Sequence, residues 1–192
     1  MGFPRLDAQP TAQPDPMFMI FRYASRSALS MYAGYRAGPV IGLFGMLQNP
    51  RTPYREIMAG IGTTIGPRGQ SVTVAPAVAW SNTGWYAELY LVPVVRSQAV
   101  SVSGIVFARE PLKTGGTRAL FISPAALLFY LGGGFSGGAT YYGTVVQGVA
   151  ATHAVGPALQ HAIPHGWVRI ELVKGLVASA PDELRIAVQA GF

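Results

Sequence analysis

From Val40 onward the chain is written in short runs in which apolar side chains alternate with small or polar ones, separated by clusters of Gly, Pro, Asn and Ser. Side chains along a β-strand point to opposite faces with period two, so each run predicts a strand with one apolar face. Val40–Gln48 is apolar and glycine-spaced, and the segment 49–53, with two prolines, breaks it. Over 54–65, Ile57, Ala59, Ile61, Thr63 and Ile65 oppose Glu56, Met58, Gly60, Gly62 and Thr64. Then Val72, Val74, Val78 and Trp80 oppose Ser71, Thr73, Ala75, Ala77 and Ala79, and Ser81–Gly84 reads as a hairpin turn. In the next run Trp85, Ala87, Leu89, Leu91 and Val95 share a face, with Tyr86, Glu88 and Tyr90 on the other.

Further runs follow at 100–109, 118–131, 139–153, 167–176 and 183–192, with 154–166 read as a connection because it holds Gly156-Pro157 and Pro164. The spacing predicts an all-β antiparallel meander with nine strands from Val40, and no internal repeat is evident. Residues 17–34 are open between two readings. As a helix they place Met17, Ile20, Phe21, Ala24, Ala28 and Met31 on one side, an amphipathic helix at a membrane surface; as one or two strands, with Leu29, Met31, Ala33 and Tyr35 alternating against Ser30, Tyr32, Gly34 and Arg36, they supply the tenth member that the odd count lacks. Residues 1–16 hold four prolines and little to bury, which predicts an extended arm ahead of a single domain over 17–192.

Composition changes the solvent this sheet is expected to meet. Half of the residues are hydrophobic and 11% are charged, against about 25% in an ordinary soluble domain. The segment 119–168 carries no Lys, Arg, Asp or Glu, yet Gly132–Gly134, Gly137-Gly138 and Pro164 break it before it reaches the roughly 20 apolar residues of a membrane helix. A barrel spreads its hydrophobicity over alternate positions and fits better. The net charge of +6 comes from twelve Arg and two Lys dispersed along the chain, without the clustered basic run of a nucleic-acid surface. With no Cys, disulfide and thiolate chemistry is excluded.

The final run sharpens this. Leu184, Ile186, Val188, Ala190 and Phe192 alternate with Arg185, Ala187, Gln189 and Gly191, and the run closes on the aromatic. This strand resembles the C-terminal signature strand of bacterial outer-membrane β-barrel proteins. The resemblance implies a small antiparallel transmembrane barrel of eight to ten strands in the bacterial outer membrane, with lipid as its partner. The expected role is structural, anchoring or that of a narrow porin-like channel, as a subunit that other envelope proteins dock onto. An apolar signal segment is absent from the first residues, and the polar, proline-rich 8–16 looks like the tail left after its removal.

If Phe192 lies at the periplasmic end, strand alternation brings the Ser81–Gly84 turn and the 154–166 connection to that end too. Trp80, Trp85, Trp167 and Phe192 are then expected to form one outward interfacial girdle. The inward faces predict a lumen network of Glu56, Tyr86, Glu88, Tyr90, Arg109, Arg169, Glu171 and Arg185, acids and bases buried together so that each offsets the other's desolvation. Pro76, Pro93 and Pro124 fall inside strands and are expected to need bulges.

Other chemistry is weaker. His153, His161 and His165 lie close in sequence, but Pro164 disrupts a helical pair and no Cys or nearby acid completes a metal set, so no metal and no cofactor are expected. The His-x-Ser arrangement of barrel lipid deacylases is absent, and no enzymatic activity is expected. Nor does Gly132–Gly138 have the spacing or Lys of a phosphate loop. The competing reading is a water-soluble all-β assembly subunit, capsid-like, whose apolar faces are covered by neighbouring copies.

Overall fold

The computed structural model describes residues 16–67 and 69–192. The arm expected over 1–16 lies outside them but for Pro16. Twelve antiparallel strands make one closed barrel. They are β1 (Met17–Ala24), β2 (Ala28–Ala37), β3 (Val40–Gln48), β4 (Arg55–Ile65), β5 (Gln70–Ser81), β6 (Gly84–Arg96), β7 (Val100–Pro111), β8 (Ala119–Gly132), β9 (Phe135–Val146), β10 (Thr152–Ile163), β11 (Gly166–Gly175) and β12 (Glu183–Gly191). Each pairs with its neighbours in sequence. β12 returns to β1 in a register running from Phe18 opposite Gly191 to Ala24 opposite Arg185, which leaves no edge strand exposed.

The barrel thus exceeds the expected eight to ten strands, for two reasons. Residues 17–34 are not helical; of the one or two strands expected there the structure has two, β1 and most of β2, joined at Ser25–Ser27, where the expected barrel count allows for one. A helix would bury one stripe, whereas here Met17, Met19, Phe21 and Tyr23 face out while Phe18, Ile20 and Arg22 face in, and β1 supplies the partner without which β12 would be an open edge. Second, 152–163 is a strand despite its Gly-Pro pair. Pro157 faces outward, and the β10–β11 register is the same on both sides of it, so the missing N–H removes a ladder bond without displacing the strand.

Pro76 and Pro93 are accommodated in the same way, without the bulges expected of them: their registers on β4 and β7 do not shift. Only Pro124 coincides with a bulge, where β8 slips between Ile122 and Ala125 relative to β9. That extra residue reverses the phase of β8. Ala119 and Phe121 face in before it, Ala126 and Leu128 after it, so Leu120, Leu127 and Phe129 all face out. The run 118–131, apolar on both faces in the sequence, thereby acquires a consistent outer side.

That outer side is apolar around the barrel. Phe44, Ile61, Val78, Leu89, Leu127, Leu159 and Ile170 are exposed there. Among the described residues, outward strand positions carry charge only at Arg55, Glu110 and Lys174, each beside one end of the barrel. At that end the connections run from two to seven residues; at the other, where β1 begins and β12 finishes, they run from two to four. We call these the loop end and the turn end. The interior is packed at mid-height by Met58, Tyr90 and Phe107 on one side and Ala126, Leu128 and Ala158 on the other. Toward the turn end the inward positions of β4, β5 and β7 are small and uncharged, among them Gly60, Gly62, Thr64, Thr73, Ser101 and Ser103, while Phe18, Ile41 and Trp167 are larger and Arg36 is charged.

Candidate functional site

Between this waist and the loop mouth the interior is charged, and the charges stand on two walls. The first wall is built on β4, β6 and β7. Glu88 and Arg109 are directly opposed across the β6–β7 ladder, and β5 between the two acids presents the small side chains of Ala75, Ala77, Ala79 and Ser81 inward, so larger side chains from β4 and β6 fold over it. Arg109 Nη2 donates to Glu56 Oε2 at 2.7 Å, its Nη1 to the Tyr54 hydroxyl at 2.6 Å, and its Nε stands 3.8 Å from Glu88 Oε1. Tyr90 donates to the other oxygen of Glu88 at 2.7 Å, and the guanidinium lies 3.7 Å over the Tyr86 ring. Tyr54 donates in turn to Glu56; burial, then that bond to the carboxylate, pushes its phenol above the ordinary range and keeps it a donor.

The second wall repeats the plan on β9, β11 and β12, with Ala154 and Ala158 of β10 as the flat strip between. Glu171 is buried to 1% exposure, pairs with Arg169 Nε at 2.7 Å and accepts from the Tyr142 hydroxyl. Arg185, opposite Glu171 in the ladder, lies 3.5 Å over the Tyr142 ring and donates through Nε to Glu183 at 2.8 Å. Glu183 also accepts from Ser27 Oγ at 2.9 Å, which ties the β1–β2 loop to the start of β12.

Arg22 joins the walls. From β1 it reaches across the interior and donates through Nη1 to the carbonyl of Ser123 on β8 at 2.8 Å. Four strands separate β1 from β8 around the shorter arc, so this bond crosses the lumen. The β8 bulge makes it available, because Ser123 and Pro124 take no ladder partner and the carbonyl is left to accept. Gly45 makes room beside it: a Cβ there would stand 2.8 Å from Tyr32, whose ring is 6.0 Å from the Arg22 guanidinium. Above lies a cavity of about 440 Å³, with Arg22, Glu56, Arg109, Glu171, Glu183 and Arg185 among its lining and Phe107 and Phe121, stacked at 4.5 Å, beneath.

All eight residues expected in the lumen face inward, but as two clusters rather than one network. Arg22, Tyr54, Tyr142 and Glu183 complete them and were not among the expected residues. Arg22 could have been found from the period-two pattern Phe18, Ile20, Arg22, Ala24, which the helical reading of the same residues obscures. The girdle is a correction. Trp80 and Trp85 face outward at the loop end, whereas Phe192 lies at the turn end and Trp167 points inward beneath Arg169, donating to Gln189 at 3.1 Å. For Trp80 and Trp85 the cause is β10: a strand left out of the count reverses the direction of every strand before it; Trp167 instead shares the inward phase of Arg169 and Glu171 on β11. Aromatic side chains instead gather outside both ends, with Tyr23, Trp80 and Trp85 at one and Tyr35, Phe129, Phe135 and Phe192 at the other. The histidines do not converge: His153 hydrogen-bonds Tyr141 at 2.6 Å, His161 lies against Phe135, and His165 occupies the β10–β11 turn with φ of 61°.

No protein-family model matches this sequence, and no curated protein matches it. Solved structures do. The chain is similar to the NanC porin, with a TM-score of 0.60 at 9% identity over 92% of this chain and 98% of NanC. It is similar to the KdgM porin in complex with disordered oligogalacturonate, with a TM-score of 0.61 at 10% identity over 92% and 98%. Acinetobacter baumannii outer membrane protein Omp33 aligns with a TM-score of 0.51 at 9% identity over 92% and 96%. The chain has the fold of bacterial outer-membrane porin barrels.

Proposed function

We propose that this chain resides in the bacterial outer membrane as a non-enzymatic, narrow channel with a polar vestibule open to the outside. The observation that carries the reading is the inversion of the barrel, with a charge-free apolar belt outside and paired charges inside, which suits a lipid solvent. The aromatic bands outside both ends support it, since such rings favour the two membrane interfaces. Short turns are periplasmic in such barrels and longer loops extracellular, so the vestibule faces outward. Oligogalacturonate, bound in the KdgM complex, is a polyanion; here four carboxylates face four guanidiniums, which favours a different cargo.

The Arg22–Ser123 bridge makes the pathway narrow. Purified chain should stay monodisperse only with detergent, and in planar bilayers Arg22→Ala should raise single-channel conductance about twofold or more, since pore conductance follows the open cross-section. Monodispersity in plain buffer would favour the soluble assembly subunit. Equal conductance of the two proteins would remove Arg22 from the pathway.

A further inference from the structure

The charges above the waist are balanced in sum but not in place. On the β4–β7 wall, Glu56 and Glu88 share the single guanidinium of Arg109, at 2.7 and 3.8 Å, which leaves that wall one cation short. On the other wall Arg169 and Arg185 each have their own carboxylate, and Arg22 is a third cation whose Nη1 meets a neutral carbonyl and whose Nε has no hydrogen-bond partner. A negative surplus thus faces a positive surplus across one cavity. Arg22, Arg185 and Glu56 all line it. In an interior where charges are poorly screened, each surplus carries an uncompensated desolvation cost.

We propose that the vestibule is a binding site for small zwitterions, molecules bearing one carboxylate and one ammonium group. The carboxylate goes to Arg22 and Arg185, the ammonium to Glu56 beside the Tyr54 ring. A simple anion would neutralise Arg22 and leave the opposite wall short of a cation; a simple cation would do the reverse. Only a ligand with both charges relieves both walls. The cavity volume of about 440 Å³ is that of a small-molecule site. The inference rests on the reading of the barrel as membrane-embedded with this mouth open, and it gives that mouth a ligand class.

The test is calorimetric titration of the full chain in detergent micelles with four probes: 4-aminobutanoate, 6-aminohexanoate, butanoate and butylamine. At least one zwitterion should bind about tenfold more tightly than either singly charged probe. Arg22→Gln and Glu56→Gln should each weaken that binding by about tenfold, with Arg22→Lys retaining most of it. Butanoate binding as well as the zwitterions would make this a plain anion site and overturn the proposal, as would butylamine doing so, or no binding of any probe. Should the variants fail to fold, the comparison of probes on the unaltered chain decides alone. No current is measured here, so a barrel that conducts without binding refutes this inference and leaves the channel reading standing.

Discussion

The two charged walls are built to one plan and differ in their accounts of charge. Each sets a tyrosine, acids and an arginine on strands flanking an alanine-faced strand: β5 with Ala75, Ala77 and Ala79 in one case, β10 with Ala154 and Ala158 in the other. Alanine is what lets the long side chains lie flat against the barrel wall instead of filling its centre. On the β9–β12 wall every carboxylate has its own guanidinium: Arg185 hydrogen-bonds Glu183, and Arg169 stands 2.7 Å from Glu171 as an ion contact without hydrogen-bond alignment. On the β4–β7 wall one guanidinium serves two carboxylates and is stacked on Tyr86 as well. The first arrangement is held by matched pairs. The second hangs on a single residue.

The sharpest way to break the comparison is therefore Arg109→Ala. It leaves Glu56 and Glu88 facing each other, both buried, with only the hydroxyls of Tyr54 and Tyr90 to satisfy them. Removing one partner of a buried pair costs about 3–5 kcal/mol, and here two acids lose theirs, so the loss should reach or pass the top of that range. Urea unfolding from detergent or vesicles, followed by the gel shift of the folded barrel, measures it. A loss below that of any single substitution on the other wall would show that Tyr54 and Tyr90, not Arg109, hold these acids.

Glu171→Ala comes next. It strands Arg169 at 3% exposure and leaves the Tyr142 hydroxyl without its acceptor, but Arg169 keeps its place beside the Trp167 ring at 4.9 Å and Arg185 keeps Glu183. The expected cost is about 3 kcal/mol in the same assay, smaller than for Arg109 because one charge is orphaned and not two. Replacing Arg169 and Glu171 together by Leu should recover most of it, since an apolar pair of similar volume carries no desolvation cost.

How far these walls were legible in the sequence depended on the strand that carries each residue. Tyr86, Glu88 and Tyr90 alternate with Leu89 and Leu91 in a strand with no interruption before Pro93, so period two fixes their side unaided. Arg169, Glu171 and Arg185 stand in equally regular strands. Arg22 was hidden because residues 17–34 fit a helical stripe as well as a strand, and only the need of β12 for a partner decides between them. Tyr142 stands in a Gly-, Thr- and Tyr-rich run whose two faces look alike in composition. Pro157 masked β10, and since a meander alternates direction, that one omission carried Trp80 and Trp85 to the wrong end. The bulge at Pro124 had the opposite effect: reading β8 as regular made both faces apolar, and one extra residue removes the conflict. Alternation within a strand is a local property and survives in sequence; strand count, direction and phase across a bulge are set by pairing and do not.

The smallest effect is the most telling. Glu88→Gln on the β4–β7 wall should change stability by no more than about 1 kcal/mol, and in the stabilising direction if the surplus is real. The carboxylate removed is the more distant of the two that share Arg109, at 3.8 Å against 2.7 Å for Glu56, so the guanidinium keeps its closer partner and its bond to Tyr54. Tyr90 keeps an acceptor, because the amide oxygen of Gln can stand where Glu88 Oε2 stood. What disappears is a buried negative charge with half a counter-ion. The matching change on the other wall, Glu171→Gln, removes the one carboxylate paired with Arg169 and should remain costly in the same unfolding assay. If the two Gln variants instead lose stability equally, the walls are equivalent in charge as well as in plan, and the transverse imbalance on which the zwitterion site depends is absent.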